Sequence, residues 1–238
     1  MKKMKKGASL SKGIDDDINK DVIRSLTPLN EENKKTLGNI LRVYAFCHPN
    51  IGYCQGMGFI AEFLLVLFRN EAVAYAFMDT LIEKYNMTHL FTDEIPLVKK
   101  LLYQMDRLIY LHYPNFMVNL LNEGLNSALF ASAWFISIFT HILRAEDNDG
   151  LLAIWDCFLL YGWKVIFRVG IFTIKNLNKT MIEAPTVDLI QMLSKLSIFQ
   201  EKSSATQFKE QFHKIKVTNR VLDLLEKEYN SIMLIGYK

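Results

Sequence analysis

Apolar side chains recur along most of this chain at intervals of three and four residues, which places them on one side of a helix. The first clear example follows Asn30, a candidate N-cap, and is predicted to end before Pro49. Its periodic apolar positions are Leu37, Ile40, Leu41 and Tyr44. The alternation of apolar and polar residues that marks a strand is rare along the chain. These patterns therefore predict helices rather than sheets.

The same spacing predicts further helices along the rest of the chain. Expected segments are residues 56–68, 70–85 and 94–111, a helix from Pro114 onward, and an amphipathic segment at residues 206–229. Segments that are apolar on most of their faces are residues 131–143, 150–161, 163–178 and 187–196. Helices of this last kind are typical of the centre of a large bundle. We therefore expect one continuous helical array.

Composition also favours an ordered helical domain. The chain has 238 residues, of which 50% are apolar and 22% charged, so it has enough apolar material for a substantial core. Its 5 prolines and 11 glycines are few, and no repeat or low-complexity linker divides it. We predict an all-α fold, with a single multi-helix domain over residues 14–238. The basic start MKKMKKG lies in a tail, residues 1–13, that we expect to be flexible.

Charge and cysteine usage narrow the classes of function. A formal net charge of +3 is too small for a nucleic-acid binder without a concentrated basic stripe, so no nucleic-acid partner is expected. Cys47, Cys54 and Cys157 are odd in number and lack C-x-x-C spacing, which argues against a disulfide framework or structural zinc. No apolar signal segment follows the basic start. We therefore expect a cytoplasmic location.

One uncharged stretch, residues 124–143, is just long enough to span a membrane. Its polar side chains are Asn126, Ser127, Ser132, Ser137, Thr140 and His141. So many polar groups favour a buried core helix, and no transmembrane segment is expected.

The motifs of several enzyme classes are absent from the sequence. It contains neither G-x-x-x-x-G-K-[ST] nor G-x-G-x-x-G, so the chain is not expected to hydrolyse a nucleotide in a site of its own. The five histidines are scattered without H-E-x-x-H, and Asp15, Asp16 and Asp17 are better explained as a solvated flank than as a cation site. Ser132 and Ser137 have no G-x-S-x-G turn around them. No metal site and no cofactor of its own are therefore expected.

Two short segments are not explained by composition or periodicity. Residues 18–24 read INKDVIR, in which Asp21 and Arg24 share one side of a helical turn. An acid there can orient a guanidinium, although a surface salt bridge of about 0–1 kcal/mol is the better explanation of the pair taken alone. Residues 50–58 read NIGYCQGMG, a polar, glycine-punctuated loop between two apolar helices. By itself this loop is compatible with a simple helix-to-helix turn.

Together the two segments resemble the TBC domain of Rab GTPase-activating proteins, whose signatures are I-x-x-D-x-x-R and Y-x-Q in this order. The matching residues are Ile18, Asp21 and Arg24 for the first signature, and Tyr53 and Gln55 for the second. Further matching landmarks are the segment ILRVYAFCHPNIGYCQGM, a W-F-x-x-x-F pattern at Trp134, and I-W-D at residues 154–156 followed by Gly162. The resemblance runs from about residue 14 to about residue 199.

The resemblance implies an all-helical TBC fold and a GTPase-activating function. It implies a GTP-bound Rab-type small GTPase as the partner, and the Mg²⁺ and GTP would be held by that partner. Arg24 matches the family's arginine finger and Gln55 its glutamine finger. Phosphoryl-transfer physics agrees, because a guanidinium stabilises the developing negative charge and an amide can hold the attacking water in line. Asp21 is implied to orient Arg24, and Tyr53 to lie near the partner's switch region.

The resemblance has further implications for the loop and for the location of the protein. Gly52 and Gly56 would let the loop approach the partner closely. Residues expected to be structural rather than functional are Ile18, Trp134, Trp155 and Asp156. Because Rab proteins are lipid-anchored, we expect peripheral contact with an endomembrane, in vesicle trafficking, without insertion.

The sequence also departs from the family pattern. After Arg24 it reads SLTP, where the family commonly has a threonine and an aromatic residue before the proline, and Gly58 replaces a usual polar residue. The helical segment with an R-x-x-x-W landmark that usually precedes the first signature is expected to be lacking. Two alternatives therefore stay open: a non-catalytic TBC-like scaffold that binds a GTPase or another partner, and a helical scaffold unrelated to GTPases. The presence of both finger residues favours the activator.

Overall fold

The computed structural model describes residues 11–25, 29–92, 94–142, 149–181, 186–195 and 205–236. Within these ranges the structure contains thirteen α-helices and no β-strand, which confirms the predicted all-α class. The chain divides into two compact units, residues 1–95 and 96–238. The single domain expected over residues 14–238 and the flexible tail over residues 1–13 stay predictions, and residues 1–10 lie outside the described ranges.

The first unit contains five helices in its described part. They are α1 (Lys12–Ile23), α2 (Glu31–Cys47), α3 (Met57–Phe68), α4 (Glu71–Lys84) and α5 (Thr88–Phe91). Asparagine caps fix the start of two of them, as the side chains of these residues predict. Asn30 Oδ1 accepts a hydrogen bond from the Asn33 N–H at 2.8 Å, and Asn70 Oδ1 accepts one from the Val73 N–H at 3.0 Å.

The core of the first unit forms around α2, which packs against α1, α3 and α4. The periodic apolar positions of α2 are all 1% exposed: Leu37, Ile40, Leu41 and Tyr44. The spacing read from the sequence therefore identifies the buried face of this helix. α1 adds Ile18, which is fully buried as expected, and packs against both α2 and α3.

The second unit contains eight helices in its described part. They are α6 (Pro96–His112), α7 (Pro114–Asn122), α8 (Ala128–Ser137), α9 (Asp149–Tyr161), α10 (Lys164–Met181), α11 (Thr186–Lys195), α12 (Ala205–His213) and α13 (Asn219–Gly236). α10 packs against α6, α8, α9, α11 and α12, so it is the central helix that its apolar character predicted. Its Gly170 lies against Trp134, whose ring would be 3.0 Å from a Cβ at that position.

The tryptophans of the later landmarks lie in the core, and the acid of these landmarks forms an ion pair. Trp134 is fully buried, and the Trp155 indole N–H donates to the carbonyl oxygen of Ile138 at 3.2 Å. Asp156 forms an ion pair with Lys209 at 2.8 Å, which ties α9 to α12. All of these contacts lie within the second unit, and the structural roles expected of these residues stay predictions.

Two predicted elements differ from the structure, and one helix of the structure was not predicted. The helix expected at residues 131–143 ends at Ser137, because Ile138 and Phe139 both have positive φ, 51° and 66°, and turn the chain out of the helix. The segment expected at residues 206–229 is two helices, α12 and α13. The short helix α5 was not predicted. Among the described helices, none combines the length and the apolar character that crossing a membrane requires.

Candidate functional site

The C-terminal end of α1 carries Arg24. The two buried residues of α1, Ile18 and Val22, hold the helix against the core of the first unit. Arg24 is the C-cap, and its backbone N–H donates to the carbonyl oxygens of Lys20 at 3.2 Å and Asp21 at 3.0 Å. The backbone at Arg24 is therefore fixed by the helix end. Its side chain is 65% exposed and extends from that fixed point.

The loop between α2 and α3 carries Tyr53 and Gln55. The His48 carbonyl oxygen closes α2 by accepting from the N–H groups of Ile51 at 3.0 Å and Gly52 at 2.8 Å. Gly52 has φ +64° and Gly56 has φ +104°, which are backbone conformations that favour glycine. A Cβ at Gly52 would be 3.4 Å from the Ile14 side chain of α1. The two glycines therefore let this loop fold tightly beside α1.

Asp21 joins the two segments. Its Oδ2 accepts a short hydrogen bond from the Tyr53 hydroxyl, and its Oδ1 lies 3.7 Å from Nη1 of Arg24. The Asp21 side chain is only 15% exposed, whereas the Arg24 side chain is mostly in solvent. One carboxylate thus contacts a residue of each signature. The supporting roles of Asp21 and Tyr53 stay predictions.

The tyrosine is a permanent donor in this arrangement. Burial raises the pKa of Tyr53 far above its usual range, and the hydrogen bond to Asp21 and the charge of that carboxylate raise it further. The phenol therefore remains protonated at any physiological pH and donates to Asp21. Burial, followed by the charge of Asp21, also raises the pKa of the Cys54 thiol, so Cys54 is not an activated nucleophile.

The two predicted finger residues lie on one pocket. Gln55 is exposed at the tip of the loop, and the pocket has a volume of about 180 Å³. Its lining residues are Asp17, Lys20, Asp21, Arg24, Tyr53 and Gln55. The structure therefore brings together four of the six predicted site residues on this pocket. Gly52 and Gly56 are buried and shape the loop without lining the pocket.

Sequence reasoning missed Lys20 and Asp17 as parts of this pocket. Lys20 lies one helical turn before Arg24, and its ammonium group is 2.9 Å from Asp17 Oδ1. The spacing of four residues between Lys20 and Arg24 was a signal that both side chains share one face of α1. Gly58, noted for its departure from the family pattern, also borders the site: a Cβ there would be 3.5 Å from the Tyr53 hydroxyl oxygen.

Comparison with known proteins decides the family. A model of the Rab-GTPase-TBC domain matches residues 1–182 of this chain. The chain belongs to the Rab-GTPase-TBC domain family. Among the described residues of this TBC domain, no group of three or more histidine, cysteine or acidic side chains could hold a metal ion.

Relatives of this TBC domain carry names that refer to GTPase activation or to a TBC protein. The GTPase-activating protein GYP5 of Saccharomyces cerevisiae is 30% identical over 163 residues, which is 68% of this chain and 18% of the yeast protein. The growth hormone-regulated TBC protein 1 of Xenopus tropicalis is 37% identical over 165 residues, 65% of this chain and 44% of the frog protein. The chain therefore spans less than half of the length of either relative.

Solved TBC domains share the fold of this chain. The Ypt/Rab-GAP domain of Gyp1p matches with a TM-score of 0.71 at 15% identity, covering 95% of this chain and 77% of that domain. The TBC domain of a Chlamydomonas flagellar RabGAP matches with a TM-score of 0.65 at 20% identity, covering 91% of this chain and 67% of that chain. These similarities confirm the predicted TBC fold.

Proposed function

We propose that this TBC domain accelerates GTP hydrolysis by a Rab-type small GTPase and that Arg24 and Gln55 are the side chains it inserts into the partner's nucleotide site. The observation that carries the proposal is their position on one pocket, with Arg24 paired to Asp21. Membership of the Rab-GTPase-TBC family supports it independently.

Arg24 supplies positive charge. Hydrolysis of GTP spreads negative charge over the transferring phosphoryl group, and a guanidinium that arrives from another protein stabilises that charge. The Arg24 side chain suits this task because it is 65% exposed and its ion pair with Asp21, at 3.7 Å, is long enough to be given up or rearranged on binding. Asp21 holds the guanidinium near the productive direction before the partner arrives.

Gln55 positions the attacking water. An amide side chain donates and accepts hydrogen bonds at once, so it can hold a water in line with the bond that breaks. That water forms a bond to the γ-phosphorus as the bond to the β-phosphate oxygen breaks, and GDP and phosphate result. Gln55 is exposed on the loop between α2 and α3. Gly52 and Gly56 in the same loop have positive φ, which lets the backbone of the loop lie close to α1.

The partner supplies the remaining chemistry. GTP and its Mg²⁺ belong to the GTPase, so the TBC domain needs no cofactor of its own. Rab-type partners are lipid-anchored, and the proposal therefore places the reaction at the cytoplasmic face of an endomembrane, in vesicle trafficking, with the TBC domain bound peripherally through its partner. Tyr53, which lines the pocket, would contact the partner's switch region.

The test is single-turnover GTP hydrolysis by a panel of Rab-family GTPases, with and without this chain. We expect the chain to accelerate at least one of them by roughly 10³ to 10⁵-fold. Arg24→Ala and Gln55→Ala should each remove most of the acceleration. Both side chains are exposed, so the circular dichroism spectrum and the unfolding midpoint should stay unchanged.

Matched controls come from the second unit of the chain. Arg220 on α13 and Gln191 on α11 are exposed residues of the same two types, and their replacement by alanine should leave the acceleration intact. Full acceleration by folded Arg24→Ala and Gln55→Ala variants would refute the assigned roles. GTP-dependent binding without acceleration of any GTPase would refute the catalytic function and favour the scaffold.

A further inference from the structure

α1 is held to the first unit along a narrow line of apolar contact. Its two buried residues, Ile18 and Val22, are four residues apart and therefore lie in one row along the helix. A single row of contacts resists separation of the helix from the core but resists rotation about the helix axis poorly. Rotation matters here because Asp21 and Arg24 project from a side of the same helix.

Two polar contacts flank that row, one on each side. Asp21 follows Ile18 by three residues and is held by the Tyr53 hydroxyl on one flank. Asp15 and Asn19 precede Ile18 and Val22 by three residues and lie on the other flank. The side chains on this second flank are held by an arginine of α2.

Arg42 of α2 makes the contact on the second flank through two nitrogen atoms of its guanidinium group. Its Nε donates to Asp15 Oδ1 at 2.5 Å, and its Nη2 donates to Asn19 Oδ1 at 2.6 Å. Asn19 Nδ2 in turn lies 3.5 Å from Asp15 Oδ2, so the three side chains form one connected group. A planar fork that contacts two successive turns of α1 fixes the rotation of the helix better than a single point of contact does.

The glycine at position 38 makes room for this arginine. Gly38 lies one turn before Arg42 within α2, and a Cβ there would be 2.7 Å from Nη1 of Arg42. Glycine in the middle of a helix is unfavourable for helix stability, and at this position it leaves free the space beside the Arg42 guanidinium. Its own helix therefore leaves room for Arg42 to reach α1.

We infer that Arg42 is a positioning residue for the arginine finger: it sets the rotation of α1 about the Ile18 and Val22 row and thereby the direction of Arg24. This inference rests on the proposed function. A rotation of α1 by roughly 10° displaces the end of a long side chain by more than about 1 Å, and a displacement of that size can lower a catalytic rate by about 10²-fold.

The first experiment separates catalysis from binding in the Arg42→Gln variant. We expect its single-turnover rate at saturating chain to fall by about tenfold or more, because Arg24 is less well directed. The Kd for the partner loaded with a non-hydrolysable GTP analogue should stay within about twofold, because the docking surface is intact. Arg42→Lys should recover only part of the rate, since an ammonium group cannot contact Asp15 and Asn19 as a fork does.

A double-mutant comparison shows whether Arg42 acts through Arg24. With the chain in excess, Arg42→Gln should lower the residual rate little further in an Arg24→Ala background. In a Gln55→Ala background, Arg42→Gln should lower the rate by the same factor as it does in the wild-type chain. Equal losses in all backgrounds, or a rise in Kd that matches the loss of rate, would show a general structural role and overturn the inference.

Gly38→Ala is a second variant that protects the test from misfolding. It removes no charge and favours the helix, but its Cβ displaces Nη1 of Arg42. We expect a several-fold lower rate at an unfolding midpoint equal to or above that of the wild type. If the wild-type chain is active and needs Arg24, unchanged rates in Arg42→Gln and Gly38→Ala would overturn the inference about Arg42 but leave the proposed function standing. An inactive wild-type chain would instead refute the proposed function.

Discussion

At the level of single residues, Asp21 connects the two signatures of this TBC domain through unequal contacts. The hydrogen bond from Tyr53 is short and mostly shielded from water, whereas the ion pair with Arg24 spans 3.7 Å and involves a largely exposed guanidinium. Exposed pairs of this kind contribute about 0–1 kcal/mol to stability. The contact with Tyr53 therefore matters more for holding Asp21 in place, and under the proposed function Asp21 in turn directs Arg24.

Removal of the tyrosine hydroxyl should affect both properties. In Tyr53→Phe, Asp21 loses a buried donor, so we expect the free energy of unfolding to fall by about 1 kcal/mol. The rate of stimulated GTP hydrolysis should fall about tenfold, because the carboxylate that directs Arg24 is less well ordered. Urea unfolding and single-turnover hydrolysis measure the two effects. Tyr110→Phe changes an exposed tyrosine of α6 and should alter neither, and an unaltered rate in Tyr53→Phe would contradict the supporting role of Tyr53.

At the level of elements, the start of α3 depends on one backbone conformation. Gly56 is the N-cap of α3 with φ +104°, a conformation that other residues adopt only at a cost of about 1–3 kcal/mol. Gly56→Ala should therefore lower the free energy of unfolding by this amount and, because Gln55 is its neighbour, also lower the stimulated rate.

The same substitution elsewhere provides the control for that effect. A Cβ at Gly13, in α1, would meet nothing within 4 Å, and alanine there suits a helix better than glycine does. Gly13→Ala should leave the chain as stable as the wild type or more stable in the same urea titration. Equal stability of the Gly56→Ala and wild-type chains would show that the loop tolerates a side chain at its last position.

The sequence predicted elements well where local signals set them. Asn30 and Asn70 correctly predicted the starts of α2 and α4. The periodic apolar residues of α2 form the buried face of that helix. The end of α8 could not be predicted, because Ile138 and Phe139 turn the chain without the glycine that usually marks such a turn. The end of α8 is set by tertiary packing, since Ile138 and Phe139 are both fully buried.

The candidate site shows the same division between local and long-range information. Arg24 and Gln55 could be proposed because each belongs to a short sequence motif. Two fingers that act on one nucleotide must lie near each other, and both residues do line one pocket. Arg42 could not be found in this way. Its partners, Asp15 and Asn19, lie 27 and 23 residues away in the chain, and only the packing of α1 on α2 shows which arginine reaches them.

At the level of the whole molecule, the fold extends beyond the part of the sequence that carries the family pattern. The family model matches residues 1–182, whereas the similarity to a solved TBC domain covers 95% of the chain. The fold similarity therefore continues beyond residue 182, into the region of α11 to α13. Packing requirements are met by many apolar sequences, so structure persists where residue identity does not.

The stability of the whole chain should depend on pH through a buried histidine. Burial lowers the pKa of His141 from 6.5 to about 4, and its Nδ1 lies 2.6 Å from the Ser137 hydroxyl oxygen. Between these two pKa values the unfolded chain binds more protons than the folded chain, so stability falls as pH is lowered from about 6.5 to about 4. The loss should amount to at most about 3 kcal/mol.

Urea titrations at several pH values measure this loss. His141→Gln carries no titratable group at that position and should show a flatter dependence of unfolding free energy on pH. Burial also lowers the pKa values of His112 and His213, with the charge of Arg168 adding to the effect at His213, so part of the slope should remain. An unchanged slope in His141→Gln would contradict the assignment of the loss to this residue.

The exposure of Arg24 also determines how readily a lineage of such proteins can lose activity. Under the proposed function, a single codon change at Arg24 would abolish GTPase activation while the protein remains folded, because the fold gains little from this exposed side chain. Replacement of Asp21 or Tyr53 instead weakens the protein itself and is removed by selection even when catalysis is not needed. Inactive descendants should therefore first differ from active ones at position 24 or 55, with the acid and the tyrosine still in place.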